Sequence, residues 1–352
     1  MGQSFFIAGL AALATIAAAR ADVLTEAERA AVGDAAAASP TLAGAVLVGD
    51  ATGANSFVPV GVDPADGAPY APDDTWRWAS VTKQILAVLV MQDVEAGRYG
   101  LDASLGDVAP EFSVPGAEAV TVEDLLRHTS GLGAPAALPA STDVDPVAHC
   151  AVKRRAKPKT RFAYNNCDFV LLGAITERAN GRPWPDLLRS RIFEPAGMAG
   201  TRVATALGED GAVTGYVAEG QPEDATHPAL YGAAAALYGP PADLVRFNAA
   251  LAGGRLLGAA ARAQLWDGDP AFGYVALGAW SFEAPLAGCT GPLRLIERRG
   301  AVGGVQARNF IAPDRGRSVV IFANRADQDF GEVWMGAGLS YDVLAAALCA
   351  AG

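Results

Sequence analysis

Residues 81–96 are apolar nearly all the way round. Ile85, Leu86, Val88, Leu89, Val90 and Met91 leave no polar stripe at helical spacing, and Gly97 ends the run. A helix of this composition is buried, because a helix lying on a surface keeps a polar face. Lys83 breaks the pattern one turn from its start. An ammonium among apolar side chains is costly, so its presence there needs a reason.

The segments around this helix set the architecture. Residues 42–49 and 56–62 read as two strands joined by a Gly-rich turn, followed by a Pro/Gly/Asp loop over 61–74. Downstream, Thr121 caps a short helix over 122–128, and a loop rich in Pro, Ala and Ser spans 131–146. Helical patterns follow at 168–180, with Gly181 behind it, at 184–192, and at 242–251 behind Pro240-Pro241. After Ala271 the texture changes to strands at 272–282, 293–298, 306–311 and 318–323, with Asp314-Arg315-Gly316 as a hairpin signal and a last helix over 339–348. Strands at both ends and helices between them predict an α/β chain of the α+β kind. Its antiparallel sheet comes from the N- and C-terminal segments and is flanked by helices, with a mainly helical lobe inserted. The sheet lobe takes about residues 22–79 plus 271–352, and the helical lobe about 80–270.

A length of 352 residues suits one large domain or two closely packed lobes. The net charge of −11 argues against nucleic acid or an anionic membrane as partner. The apolar run 5–19 has the length of a secretory core, and Ala19-Arg20-Ala21 offers a small-x-small cleavage site, so residues 1–21 are expected to be a signal peptide. The run is shorter than the ~20 residues of a spanning helix, so no stable membrane insertion is expected after cleavage. The expected location is periplasmic or secreted.

Export makes the four cysteines candidates for disulfides. Of the three pairings, Cys150–Cys167 is favoured because it closes a short loop, and Cys289–Cys349 because it pins the C-terminal helix. Four buried free thiols are the alternative. There is no CxxC, and His128, His149 and His227 are scattered, so no metal and no organic cofactor is implied.

Three short segments can do chemistry. In Ser80-Val81-Thr82-Lys83, Ser and Lys at i and i+3 share a helix face. A buried amine of lowered pKa can take the serine proton there, and the helix N-terminus offers an N–H and a positive dipole end to an oxyanion. The ordinary alternative is a capping serine and a surface lysine. Tyr164-Asn165-Asn166 supplies a phenol that a nearby cation can turn into a proton relay, and an amide that can hold a substrate; its alternative is a turn before a helix. Arg298-Arg299-Gly300-Ala301 lies on a strand, where Gly300 lets a substrate backbone approach. Neighbouring residues of a strand point to opposite faces, so either Arg298 or Arg299 faces the site.

Taken in order, these segments resemble the S-x-x-K, Y-x-N and H/K-x-G motifs of the serine β-lactamase and penicillin-binding protein superfamily. The nearest likeness is to its class C β-lactamase-like hydrolases, which include esterases and D-amino-acid peptidases. Leu125-Leu126-Arg127-His128-Thr129-Ser130-Gly131-Leu132, Phe162-Ala163-Tyr164-Asn165-Asn166 with Leu171-Leu172-Gly173, Pro195-Ala196-Gly197-Met198 and Ile311-Ala312-Pro313-Asp314 match further segments of that family, from about Trp76 to Asn324. The resemblance implies Ser80 as the acylated nucleophile, Lys83 as its base, and Tyr164 as a proton shuttle that also activates water. It implies Asn166 as a substrate contact, and the N–H groups of Ser80 and Ala301 as the oxyanion hole. His128 falls in a segment that is structural in the family. Arg298 departs from the family's His or Lys. It keeps the positive field, cannot give up its proton, and could grip a substrate carboxylate.

The function expected is therefore a serine hydrolase acting through an acyl-enzyme on an ester, amide, β-lactam or D-peptide. The alternative is a catalytically degenerate protein that binds cell-wall peptides. The partner is a small-molecule or peptide substrate; oligomeric state is not legible.

Overall fold

The central helix is covered on every side. The computed structural model describes residues 22–112, 116–151, 156–205, 211–224 and 226–349. In it, Val81–Glu95 is an α-helix with every residue from Val81 through Met91 buried. An antiparallel sheet lies on one side. Its strands are β1 (Gly44–Asp50), β2 (Asn55–Val60), β3 (Trp280–Ala284), β4 (Leu293–Val302), β5 (Val305–Ala312) and β6 (Arg317–Ala323), in the order β2-β1-β6-β5-β4-β3. The N-terminal hairpin thus completes a sheet made by the C-terminal segment, with Leu47 opposite Val320 and Val46 opposite Ile321.

The principal helices are α1 (Glu26–Ala37), α2 (Val81–Glu95), α3 (Val122–Leu126), α4 (Asn166–Asn180), α5 (Pro241–Ala252) and α6 (Leu339–Cys349). One sheet face, with Ala45, Leu47, Ile296, Ala307 and Phe322, joins the core of α2, α4 and α5. The other, with Val46, Leu295, Phe310 and Ile321, packs on α1 and α6. Both faces are buried, so the central strands β1 and β6 read as near-continuous apolar runs and not as alternating ones. At roughly 25 cal/mol per Å² of apolar surface removed from water, these two layers are the main stabilising term.

The architecture follows the expected plan, with three local differences. Helix α1 was not anticipated: its Ala-rich sequence has little apolar periodicity, yet Thr25 and Glu28 form a reciprocal capping box at its start. The strand expected over 272–282 is confined to β3, because Gly273, Tyr274 and Gly278 adopt positive φ and break any extended run before it. A small sheet also joins Trp76–Arg77, Leu237–Gly239 and Arg202–Val203. Cys150 is bonded to Cys167, and Cys289 to Cys349, which lies at the end of α6. The expected leader, residues 1–21, lies outside the described residues. No described helix is long and apolar enough to cross a membrane.

Candidate active site

The first site segment is set by a sharp turn. Trp76 and Arg77 pair with Gly239 and Tyr238, and the Trp78 indole donates to the Gly239 carbonyl at 3.0 Å. Ala79 then turns the chain with φ of +48°. A left-handed alanine costs on the order of 1–2 kcal/mol, which the surrounding contacts must offset. The turn puts Ser80 at the N-cap of α2, where its side chain makes no capping hydrogen bond. Its Oγ is instead 2.6 Å from the Tyr164 hydroxyl and accepts from Lys83 Nζ at 3.0 Å.

Lys83 is fully buried, and its ammonium has three acceptors: Ser80 Oγ, Asn166 Oδ1 at 2.7 Å and the Ala234 carbonyl at 2.9 Å. These satisfy its three N–H groups and are the reason an apolar helix tolerates it. Burial brings the amine down to about 8; Tyr164 opposes this and Arg298 adds to it.

Tyr164 is held by its two neighbours. The Ala163 N–H donates to the His128 carbonyl at 2.8 Å, and the Asn165 N–H to His128 Nδ1 at 3.3 Å. Burial alone would push the phenol up. The Lys83 and Arg298 charges, with hydrogen bonds from Lys83 and Ser80, outweigh it and bring Tyr164 down to about 8. Asn165 caps α4 through its side chain, which fixes Asn166 at the first turn facing Lys83.

Strand β4 closes the site. Arg298 is on the face toward α2, where it donates Nε–H to the Ser80 carbonyl at 2.8 Å and Nη2–H to the Tyr164 hydroxyl at 3.2 Å. Its guanidinium lies between the rings of Tyr164 and Trp280, 5.5 and 5.4 Å from their centres. Arg299 also borders the cleft but is held by Glu297 and Glu332 and not by Ser80 or Tyr164. The inward residue is therefore Arg298, with two donors already committed within the protein. Gly300 borders the cleft and has a further cause within the protein: a Cβ there would lie 2.4 Å from the Trp78 carbonyl oxygen, so its smallness lets β4 approach the Ser80 turn. Ala301 follows at the rim. With Ser80, Tyr164, Asn166, Trp280 and Arg298 it lines a cleft of about 350 Å³.

Sequence reasoning set His128 aside and missed Asp168, Trp280 and the Ala234 carbonyl. His128 Nδ1 is 3.0 Å from Asp168 Oδ2, and Ser130 Oγ donates to Asp168 Oδ1 at 2.6 Å, all three side chains being buried. The readable signal was an acid inside the apolar face of α4, directly before Phe169. Among the described residues no cluster of three or more His, Cys, Asp or Glu could hold a metal ion.

The arrangement can move a proton. The Ser80 hydroxyl touches two groups of ordinary pKa near 10, each brought down to about 8, at the positive end of a helix dipole.

The family model described as Beta-lactamase matches residues 26–339. Penicillin-binding protein 4 of Amycolatopsis lactamdurans is 37% identical over 140 residues, covering 38% of this chain and 37% of that protein. Esterase EstB of Burkholderia gladioli is 32% identical over 178 residues, 45% of each chain. The chain thus spans less than half the length of these curated relatives. Among solved structures, the D-amino acid amidase of Ochrobactrum anthropi SV3 superposes with a TM-score of 0.76 at 24% identity, covering 91% of this chain and 98% of that one. The D-alanine carboxypeptidase AmpC of Burkholderia cenocepacia gives 0.71 at 21%, covering 90% and 98%. At these identities the two structures speak to the fold alone.

Proposed function

The chain belongs to the beta-lactamase family, and from that premise we propose that it is a serine hydrolase working through an acyl-enzyme on Ser80. One observation carries the reading: Ser80 Oγ lies 3.0 Å from Lys83 Nζ and 2.6 Å from the Tyr164 hydroxyl. A serine hydroxyl is a poor nucleophile until a base takes its proton.

In the first half-reaction, the neutral Lys83 amine or the Tyr164 phenolate takes the Ser80 proton. Oγ bonds to the carbonyl carbon of an ester, amide, β-lactam or D-peptide, and the carbonyl electron pair moves onto oxygen. The N–H groups of Ser80 and Ala301 stabilise that oxyanion. The bond to the leaving group then breaks, and Tyr164 passes it the proton. In the second half-reaction Tyr164 deprotonates water, the water oxygen attacks the acyl carbon, and Ser80 leaves with its proton restored. Asn166 orients Lys83 and contacts the substrate. Arg298 stays charged, so it moves no proton; it holds Tyr164 and the Ser80 carbonyl.

The relatives' names span penicillin-binding proteins, an esterase, an amidase and a carboxypeptidase, which is the range of acyl compounds considered. The competing reading, a non-catalytic binder of cell-wall peptides, is favoured by Arg298 standing where the family has His or Lys. The bonded contact of Ser80, Lys83 and Tyr164 weighs against it. Two disulfides suit an oxidising compartment, which supports export to the periplasm or medium.

The test is turnover of p-nitrophenyl acetate and a chromogenic cephalosporin by the protein and by Ser80→Ala. Turnover of either that disappears in the variant supports the reading. A folded protein that turns over neither is not this hydrolase.

A further inference from the structure

Beside the cleft lies a larger cavity of about 570 Å³, and the two share Tyr164, Asn166 and Tyr231 in their walls. The lining is mainly apolar: Leu138, Val144, Val170, Trp184 and Tyr231 contribute, the Cys150–Cys167 bridge forms part of the wall, and the polar members, among them His149, Asn165 and Thr205, carry no carboxylate, ammonium or guanidinium. None of the described lining residues is Asp, Glu, Lys or Arg. The contrast with the cleft is sharp, since Arg298, Arg299 and Arg308 line that side.

The outer wall is the loop over 133–146, and it is tied to the site. The Asn165 side chain donates to the carbonyls of Leu132 at 3.4 Å and Gly133 at 3.2 Å. At the far end, Cys150 is bonded to Cys167, the residue after Asn166. His149 meets the Ala137 carbonyl at 3.1 Å and braces the middle. The loop is thus hung on the residues either side of Asn166, so the cavity keeps its position relative to Ser80. Leu138 is 41% exposed and Val144 36%, an apolar surface left to water in the free protein.

We propose that this cavity receives the acyl side of the substrate and selects a bulky, uncharged, apolar acyl group. The inference rests on the Ser80 reading, because it assumes that Ser80 carries the acyl group through both half-reactions. That group stays longest in the site, so walls on several sides act on it, while the leaving group departs through the arginine-lined cleft. An uncharged wall disfavours an acyl group bearing a carboxylate or ammonium, which would lose water and gain no partner. Each methylene buried should raise kcat/KM by about fourfold until the cavity is full.

The experiment is a p-nitrophenyl ester series: acetate, butyrate, hexanoate, and the hydrogen succinate as a charged acyl of butyrate length. It is run on the full chain, on Leu138→Asp and on Val170→Phe. Expected is a rise of at least tenfold in kcat/KM from acetate to hexanoate, with the succinate ester below butyrate. Leu138→Asp, at an exposed loop position, should abolish the rise from acetate to hexanoate, and Val170→Phe should cut the hexanoate rate more than the acetate rate. Acetate turnover with a flat or falling series, or succinate equal to butyrate, overturns the acyl cavity and leaves Ser80 standing. If no ester turns over, the Ser80 reading fails, and N-phenyl-1-naphthylamine decides the cavity. Fluorescence enhancement by wild type that Leu138→Asp loses supports an apolar site; equal enhancement, or none, overturns it.

Discussion

Arg298 meets the Tyr164 hydroxyl at 3.2 Å, and with Lys83 it brings that phenol down to about 8. The two groups that touch Ser80 therefore share a titration, and its apparent values belong to the pair. One proton must leave the pair before Ser80 has a base, so kcat/KM should rise with pH through about 8. Arg298 lowers both groups, and removing its charge raises both. Arg298→Gln should move the rise to higher pH and cut kcat/KM at pH 7 by roughly tenfold for each unit moved. A pH–rate profile in which Arg298→Gln superposes on wild type contradicts this role.

Asp168 should be a neutral acid. The Asn165 N–H donates to His128 Nδ1, so that nitrogen is an acceptor, and Asp168 Oδ2 lies 3.0 Å from it. Two acceptors share that contact only if the carboxyl carries the proton. Burial holds Asp168 well above the usual carboxylate range and His128 well below the usual imidazole range. Asp168→Asn keeps the pattern, its amide donating to His128 and accepting from Ser130. A raised carboxyl binds more protons folded than unfolded, so its stabilisation is lost as pH rises from the unfolded value near 3.9 through the folded one. Asp168→Asn should match or exceed wild-type Tm at pH 8, with the difference growing from pH 5 to pH 8. A variant less stable than wild type at pH 8 requires an ionised Asp168.

Gly300→Ala places a methyl against the Trp78 carbonyl at 2.4 Å. Strand β4 must retreat from the Ser80 turn, and Arg298 and Ala301 move with it. A displacement of about 1 Å at reacting groups can cost on the order of a hundredfold, which is the loss expected in kcat/KM with far-ultraviolet circular dichroism unchanged. Ala301→Gly is the control and should stay within severalfold of wild type.

The bridges should be worth different amounts. Cys150–Cys167 spans a sequence separation of 17 and Cys289–Cys349 one of 60. In the chain-entropy model these constrain the unfolded chain by about 3 and about 4 kcal/mol. Denatured, unreduced protein should titrate no free thiol, and Cys289→Ser/Cys349→Ser should lose more Tm than Cys150→Ser/Cys167→Ser.

Much of this was legible in the sequence because it is local. Ser80 and Lys83 lie one turn apart on a helix whose composition requires burial, and the strands of the C-terminal half carry their own apolar runs. The inward choice between Arg298 and Arg299 depends on strand register, which alternation alone leaves as a pair. Asp168 and His128 meet only because α4 packs against the end of α3, a contact between positions 40 apart. The 272–282 strand was overextended because its apolar composition matches a strand, while Tyr274 at φ +64° and its glycine neighbours decide the backbone. The second demand on Gly300, the approach of the protein's own Trp78 carbonyl, comes from a segment more than 200 residues away and has no local signal.

The central claim is that Ser80 is acylated, and intact mass tests it most directly. Full-length protein is incubated with a fluorophosphonate and, separately, with a penicillin, then weighed and digested. The account predicts a single added mass on the peptide carrying Ser80, absent from Ser80→Ala and strongly slowed in Lys83→Met. Folded protein with no added mass from either reagent, or the same mass on Ser80→Ala, contradicts it.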